Sequence, residues 1–396
     1  MCSPPTGHIW LFIESVPTDP DALYLEIPLY RIRANCLKPA KYLRFIAYTV
    51  TALDGSITLA PQNQLVADDS QLEDQAVYIF NPAIIIDKTA RAALRADQEI
   101  VLPRSQWGGS QSNRNIEFVN GIYSRDAVSV FKLKNHWGNT QAIHTIPFAR
   151  GDQWLQQLID ERPGFEGDEG VIDMESIDDI RNGFCGDKEF HGSFDRNEVG
   201  VIKTPNHILA IDEIPSAPTR TLAAHTSYPP NLRYTYQYLH DPDGKVESDY
   251  GPNNVDGAFQ NSTTKPFPSP FLLHCRFGAA ALYNWGKNLQ KQIPPSRPPK
   301  EQVVYGYHPQ KDTGGRAERA ARQDNRHMAE GSEATIKGSG RETEAVEGVM
   351  EEGKIDTMEL LHVITSRYTR VKVRFVDQLP EKQREISEWA KTLPVV

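Results

Sequence analysis

The sequence predicts an α+β protein, and three observations lead to that prediction. Segments rich in β-branched and aromatic residues, such as LYLEIPLYRI and YLRFIAYTVTAL, dominate residues 8–105. An Ala- and Leu-rich segment, FLLHCRFGAAALYNWGKNL, follows the prolines of PFPSP, which is typical of a helix start. Residues 293–354 are mostly Gly, Glu, Arg, Ala, Lys and Ser, a composition that favours a disordered linker.

The first region, residues 1–105, is predicted to be rich in β-structure. The two segments above would be strands, and the second would lead through Asp54-Gly55 into a hairpin with SITLAPQNQLV. VYIFNPAIIID (77–87) would add a further strand, and TARAALRADQ (89–98) a helix.

The second region, residues 106–215, begins with a polar, Gly-rich linker at 106–120. IYSRDAVSVFKLK and QAIHTIPF would be strands, the second one ending at its proline. WLQQLIDE and KEFHGSFDR have the spacing of amphipathic helices, and EVGVIKTPNHILAIDEI has the composition of one or two strands.

The third region, residues 216–292, adds the strand RYTYQYLH and the long helix that follows PFPSP. After the linker at 293–354, residues 355–396 would form a helical tail. IDTMELLHVITSRY and PEKQREISEWAKTL are its two amphipathic segments.

Composition excludes several classes of protein. The 396 residues carry a formal charge of −9, which excludes a globally basic nucleic-acid coat protein. No apolar run reaches the roughly 18 residues that a membrane span requires, so no membrane partner is expected. The first residues have no basic segment of the kind that opens a secretory signal, and the four cysteines form no CxxC pair. An intracellular protein, nuclear or cytoplasmic, is therefore expected.

One constellation of residues suggests chemistry. His144 ends a predicted strand, Asn182 lies in a loop, and His191 follows nine residues later on a predicted helix. Asp195 lies four residues further, on the same helix face as His191. A strand histidine facing a helix histidine, with an amide fixing the loop between them, can bind one divalent ion and leave one imidazole to activate water. Phosphodiester hydrolysis needs both groups.

This constellation resembles the ββα-metal core of HNH endonucleases, and more closely a group of fungal HNH-nuclease-domain proteins. The matching segments are HTIPFARGDQWL (144–155), IDDIRNG (177–183) and HGSFDRNEVGVIKTPN (191–206). KYLRFIAYTV (41–50) and PFPSPFLLHCRFGAAALYNWGK (266–287) extend the resemblance, which covers roughly residues 20–290. The fold that it implies for residues 106–215 is a ββα-metal core.

The resemblance also implies the role of each residue. His144 would be the general base that deprotonates water, and Asn182 would hold the loop and orient either His144 or a metal-bound water. His191 would ligate Mg²⁺ or another divalent metal ion, with Asp195 as a further ligand or as a residue that orients His191. The substrate would be DNA or RNA, with Arg150, Arg181 and Arg196 contacting its phosphates.

A second hypothesis stays open from the residues themselves: a degenerate HNH-fold module that has a binding or a structural role, without catalysis. Ile143 stands where HNH enzymes commonly place an acid or a histidine before the base. Residues 139–205 contain 14 Asp and Glu residues against 6 Lys and Arg residues, which opposes the binding of a polyanion. Catalysis would require His144 and His191 to lie across a shared cleft, with their side chains roughly 5–8 Å apart. A pair of acids, Asp178 and Asp179, is expected to cap a helix or to pair with Arg181.

Overall fold

The computed structural model describes part of the chain. The described residues are 3–13, 19–83, 115–131, 140–161, 171, 173–217, 220–240, 252–261, 263–292, 356–358 and 360–365. They combine helices with largely antiparallel strands, which is compatible with the predicted α+β class. The helix predicted at 89–98, the linker at 293–354 and the helix within 380–393 lie outside the described residues.

A six-stranded sheet forms the N-terminal part of the described chain. Its strands are β1 (His8–Ile13), β2 (Tyr24–Pro28), β3 (Gly55–Leu59), β4 (Gln64–Leu65), β5 (Val77–Pro82) and β12 (Gly286–Lys287). The spatial order is β12-β2-β1-β5-β3-β4, in which only β1 and β5 are parallel. The strand predicted at 77–87 is confirmed over 77–82. Because β12 lies more than 250 residues from β2, the sheet joins the first and third predicted regions.

Strand β2 confirms the first half of the predicted strand LYLEIPLYRI, but helices replace its second half and the whole predicted strand that follows it. Helix α1 (Leu29–Asn35) follows β2 directly, and helix α2 (Pro39–Thr51) contains the whole of KYLRFIAYTV. Pro39 occupies the first turn of α2, and Ala52 ends it in the left-handed conformation. The prediction was wrong because α2 is buried nearly all round, so its apolar run lacks the polar face that reveals a helix.

The hairpin predicted through Asp54-Gly55 is also displaced. That dipeptide joins α2 to β3, and the hairpin itself connects β3 to β4, with Thr58 opposite Leu65. A Cβ on Gly55 would meet the carbonyl oxygen of Asn81 at 2.4 Å, so this glycine permits the close approach of β3 to β5. Turn composition therefore located a turn correctly but assigned it to the wrong pair of elements.

The main apolar core lies against this sheet. Helix α6 (Pro270–Trp285), which begins at the N-cap Ser269, packs against α2 and confirms the helix predicted after PFPSP. A Cβ on Gly278 would meet the carbonyl oxygen of Thr49 at 2.1 Å, so the two helix backbones are in direct contact. The segment that follows β6 also contributes to this core, through Ile146 and Ile177.

The region that carries the candidate residues is a strand, a long connection, a second strand and a helix. Strands β6 (Thr140–His144) and β7 (Gly183–Asp187) pair antiparallel, with His144 opposite Gly183. Helix α4 (Gly151–Glu161) lies in the connection, and helix α5 (Lys188–Asp195) follows β7 directly. The predicted strand QAIHTIPF (141–148) is confirmed over residues 141–144, and the predicted helices at 154–161 and 188–196 are confirmed within a few residues.

Helix α3 (Ile116–Asp126) precedes this region. It occupies the end of the predicted linker and the beginning of the segment IYSRDAVSVFKLK, for which the sequence predicts a strand. Its N-cap Asn115 accepts a hydrogen bond from the Glu117 N–H, and this satisfies a donor of the first turn. The β-branched residues of that segment lie mostly beyond the helix end, which explains the wrong prediction.

The remaining elements complete the fold. Strands β8 (Val199–Thr204) and β10 (Arg233–Tyr238) form one antiparallel pair, and β9 (Thr226–Ser227) and β11 (Phe259–Gln260) form another. Residues 357–358 and 360–365 are helical, and we call them the tail helix. Leu361 of the tail helix is fully buried in the main core.

Candidate functional site

The candidate residues lie on the unit formed by β6, β7 and α5. A Cβ on Gly183 would meet the carbonyl oxygen of Ile143 at 2.4 Å, so this glycine allows β7 to approach β6 closely beside His144. Asp187 ends β7 and caps α5, because its carboxylate accepts a hydrogen bond from the Phe190 N–H at 2.8 Å. The sequence thus fixes both the strand pairing and the start of the helix.

Asn182 connects the two ends of the segment between β6 and β7. Its side-chain nitrogen donates to the carbonyls of Ile146 and Ile177, and its side-chain oxygen accepts from the Ile146 N–H at 2.8 Å. The Thr145 N–H donates to the Asn182 carbonyl. Asn182 is fully buried, so these bonds have no competition from water. It therefore fixes the two residues that follow His144.

His144 lies at the end of β6 between two aromatic rings. Its imidazole stacks on Phe118 of α3, with ring centroids 4.0 Å apart and planes 10° from parallel, and Phe148 lies 5.7 Å away. The Nε2 atom is 3.0 Å from Oδ1 of Asp178. Because an ionised carboxylate only accepts hydrogen bonds, this contact favours the tautomer that carries the proton on Nε2.

An open cleft lies against two side chains that contact His144. Its volume is about 510 Å³, and its lining includes Phe118 and Asp178, the stacking partner and the hydrogen-bond partner of His144. Three more carboxylates line it, those of Glu117, Asp173 and Asp179. Arg181 is the one basic residue of this lining. The cleft is therefore accessible and mainly acidic.

His191 and Asp195 lie on consecutive turns of α5. The Nδ1 atom of His191 is 2.8 Å from Oε1 of Gln141 on β6, and its Nε2 atom is 3.3 Å from Oδ2 of Asp195. Since the amide oxygen accepts, Nδ1 carries a proton and Nε2 faces the carboxylate. Asp195 is more than half exposed. The i, i+4 spacing in the sequence thus brings these two side chains together as predicted.

The two histidines belong to opposite faces of the β6–β7 pair. Ala142 packs in the cluster of Phe118, the residue on which His144 stacks. Ile143 instead packs with Phe190 of α5, the helix of His191. Successive strand residues point to opposite faces, which explains this separation. The lining of the cleft described above includes neither His144 nor His191, whereas catalysis was expected to require a cleft shared by both.

The resemblance implies a divalent metal ion, and the chemistry of α5 fits one in part. One imidazole nitrogen and one carboxylate oxygen lie 3.3 Å apart and partly exposed; Mg²⁺ prefers the oxygen ligand, whereas a divalent transition-metal ion also accepts the imidazole. Ile143 is fully buried among aromatic rings and supplies no ligand. Within the described ranges, no group of three or more His, Cys, Asp or Glu side chains could hold a metal ion. Protein ligands to such an ion would therefore be His191 and Asp195.

The three candidate phosphate contacts are all paired with carboxylates. Arg150 pairs with Asp356, and Arg196 bonds Glu198 at 2.7 Å. Arg181 bonds both Asp179 and Asp173 at 2.6 Å. Asp179 also accepts from the Arg181 N–H, so the predicted capping and pairing of this acid are confirmed. The hydrogen bonds that Arg181 donates to Asp179, and then to Asp173, raise the pKa of Arg181 even though burial opposes this.

Other residues of the site were not identified from the sequence. Phe118, Gln141 and Asp178 contact the two histidines, and buried Arg125 and Asp126 bond to the turn that carries Asn182. The sequence shows Asp178 as one member of an acidic pair, but it does not predict that Asp178 bonds to His144. Arg125 and Asp126 lie more than 50 residues before the turn, and no local pattern signals a contact over that separation. They are found only from the fold.

Comparisons of the chain with protein-family models, with curated proteins and with solved structures gave no match. Among the helices that the structure describes, none has the length and apolar character needed to cross a membrane.

Proposed function

We propose that this chain is a metal-dependent endonuclease of the HNH type, which hydrolyses phosphodiester bonds in DNA or RNA inside the cell. One observation carries the proposal. A strand ending in His144, a turn anchored by Asn182, a paired strand and a helix bearing His191 follow one another in the unit described above. This is the element order that the ββα-metal resemblance implies.

His144 has the surroundings of a general base. Asp178 holds the ring through Nε2, and Phe118 fixes its plane, so the imidazole keeps one orientation. A base in a defined orientation beside an open cleft can remove a proton from water as it attacks phosphorus. Asn182 supports this arrangement because it fixes the backbone directly after His144.

His191 and Asp195 would hold the divalent ion. When bound, the ion would stabilise the charge that develops on the leaving oxygen. The side-chain oxygen of Gln141 accepts a hydrogen bond from the Nδ1–H of His191, and this keeps Nε2 turned towards Asp195. A hydrogen-bonded ring of this kind is the usual arrangement for an imidazole that ligates a metal ion.

Plasmid nicking tests this function. The purified chain would be assayed with Mg²⁺, with Mn²⁺ and with EDTA, beside His144→Ala and, as a matched control, His8→Ala in the six-stranded sheet. We expect metal-dependent cleavage that falls by roughly 100-fold or more in His144→Ala, the usual contribution of a general base. His8→Ala should cleave like the unchanged chain. If His144→Ala cleaves as well as the unchanged chain does, His144 is not the general base.

A second candidate function is a degenerate, non-catalytic module in which the same unit has a binding or a structural role. The separation of the two histidines onto opposite faces and the carboxylate pairing of all three arginines favour it. A folded chain that cuts nothing with either metal, yet shifts the anisotropy of a labelled oligonucleotide, would support this candidate over the first.

A further inference from the structure

Arg125 and Asp126 form a buried ion pair at the end of α3. Both side chains are fully buried, and the carboxylate accepts two hydrogen bonds from the guanidinium, at 2.6 and 3.0 Å. Burying two charges costs free energy, which only good geometry and further hydrogen bonds recover. The remaining bonds of this pair therefore indicate what it holds in place.

Those bonds lead to the turn before β7. The guanidinium donates to the carbonyl of Ile180 at 2.9 Å and to that of Gly183 at 2.6 Å, the residues on either side of the Arg181-Asn182 dipeptide. The Asp126 carboxylate accepts from the Cys185 N–H at 2.7 Å. The last guanidinium bond goes to the carbonyl of Pro266, before α6. The pair thus fixes both ends of the turn that contains Asn182.

The same turn supplies the partner of His144. Asp178 lies two residues before Ile180, and Asn182 bonds the carbonyl of Ile177, so Asp178 is held from both sides. His144 comes from β6 instead, and Asn182 links its following residues to the turn. The 3.0 Å contact of His144 with Asp178 therefore depends on how the turn is placed against β6.

We infer that Arg125 is a positioning residue for the His144–Asp178 pair, which it aligns through the 180–183 turn. The inference rests on the proposed role of His144 as the base. Arg125 touches neither histidine, and it acts by fixing the carbonyls of Ile180 and Gly183. Its charge is balanced by Asp126, so the pair adds no net charge to the site.

Arg233 provides a matched control within the chain. It also bonds a carboxylate, that of Asp256, and it also donates to backbone carbonyls, those of Ile211 and Ile214. These carbonyls belong to the segment after β8 and not to the turn that carries Asn182. Arg233→Lys thus perturbs the same kind of arginine clamp at a different place.

The test observes the His144 ring directly in the full chain labelled with ¹⁵N-histidine, with His144→Ala assigning its signal. The unchanged chain should show an Nε2–H signal protected from water exchange by Asp178. We expect Arg125→Lys to lose that protection while the chain stays folded, and Arg233→Lys to keep it. If the chain cleaves nucleic acid, kcat should fall roughly 10- to 100-fold in Arg125→Lys with KM nearly unchanged, since misplaced groups lose rate and not binding.

The outcomes separate the two proposals. An unchanged His144 signal in folded Arg125→Lys overturns the positioning role, whether or not the chain cleaves anything. Absence of cleavage in the unchanged chain rejects the proposed function and leaves the ring signal to decide the inference. If Arg125→Lys does not fold, the inference is tested instead by measuring amide hydrogen exchange of the unchanged chain at increasing urea concentrations. The amides of Cys185 and Ile146 should then open together, and separate opening would overturn the inference.

Discussion

The main core and the turn that carries Asn182 are held in place by different forces, while the β6–β7–α5 unit has an apolar cluster of its own around Ile143, Phe184 and Phe190. The core against the six-stranded sheet is formed by apolar side chains from α2, α6 and the tail helix, and its helices touch backbone to backbone at Gly278. The candidate site is surrounded by buried polar groups, of which Asn182, Arg125 and Asp126 are fully buried. The first region depends on area removed from water, and the second on hydrogen bonds that tie distant segments together.

The comparison has a consequence for mutations. Truncating an apolar side chain leaves a cavity whose cost spreads over the whole domain. Removing one partner from a buried polar network leaves the other partners unsatisfied at a defined place. We therefore expect the main core to govern global stability, and the polar groups to govern the local geometry of the site.

Leu361→Ala should have the largest effect. Leu361 is fully buried in the main core, and its loss should lower the free energy of unfolding by about 2–5 kcal/mol. Urea unfolding followed by circular dichroism measures this. The His144 signal should be unchanged in the folded fraction, and a selective change there would contradict the division between the two regions.

Asn182→Ala should cost about 2–3 kcal/mol, because it leaves the Ile146 N–H and two carbonyls without their partner. The local effect should exceed the global one. Hydrogen exchange at the Ile146 amide should accelerate far more than exchange at core amides of α6. Equal acceleration everywhere would mean that Asn182 acts as an ordinary core residue.

Two glycine substitutions sharpen the comparison. Gly278→Ala should lower the free energy of unfolding by about 1–3 kcal/mol, because the new methyl group meets the Thr49 carbonyl. Gly192→Ala on α5 meets only the end of the Arg196 side chain, at 3.1 Å, and should stabilise the chain by about 0.5 kcal/mol through helix propensity. Thermal unfolding of both variants checks the opposite signs.

Glu198→Gln should have the smallest effect. Burial by itself would raise the pKa of Glu198, but hydrogen bonds from Arg196 and Ser193, together with the charge of Arg196, outweigh burial and lower it. The ionised carboxylate therefore stabilises the folded chain when the pH is above the usual pKa of a glutamate. This contribution is lost as the pH falls through the lower pKa that Glu198 has in the folded chain.

The substitution should cost less than about 1 kcal/mol near neutral pH, since the pair is partly exposed. The difference from the unchanged chain should narrow as the pH falls from about 5 to 3. Urea unfolding at several pH values measures this difference in the free energy of unfolding. Arg196→Gln and the double variant are measured in the same way. Additive losses in the double variant would show that the two side chains do not interact.

Much of the local structure could be predicted from the sequence. The proline and serine before α6, the four-residue spacing of His191 and Asp195, and the asparagine preceding Gly183 are local signals, and each gives the expected local result. The wrong predictions concern α1, α2 and the first part of IYSRDAVSVFKLK. Composition favours strands there, but each segment is helical, and α2 hides its helical period because it is buried on nearly every side.

By itself, the sequence determined the order of the chemical residues, the α+β class and the caps of the helices, because these depend on residues close together in the chain. Only the tertiary structure decided that Asp178 bonds to His144 and that Ile143 is buried against α5. The same holds for the hydrogen bond from Arg125 to the turn that contains Asn182. It also decided that carboxylates occupy all three candidate arginines. Most of these contacts join residues more than 30 positions apart. Long-range partners of this kind are chosen by packing, which no local pattern encodes.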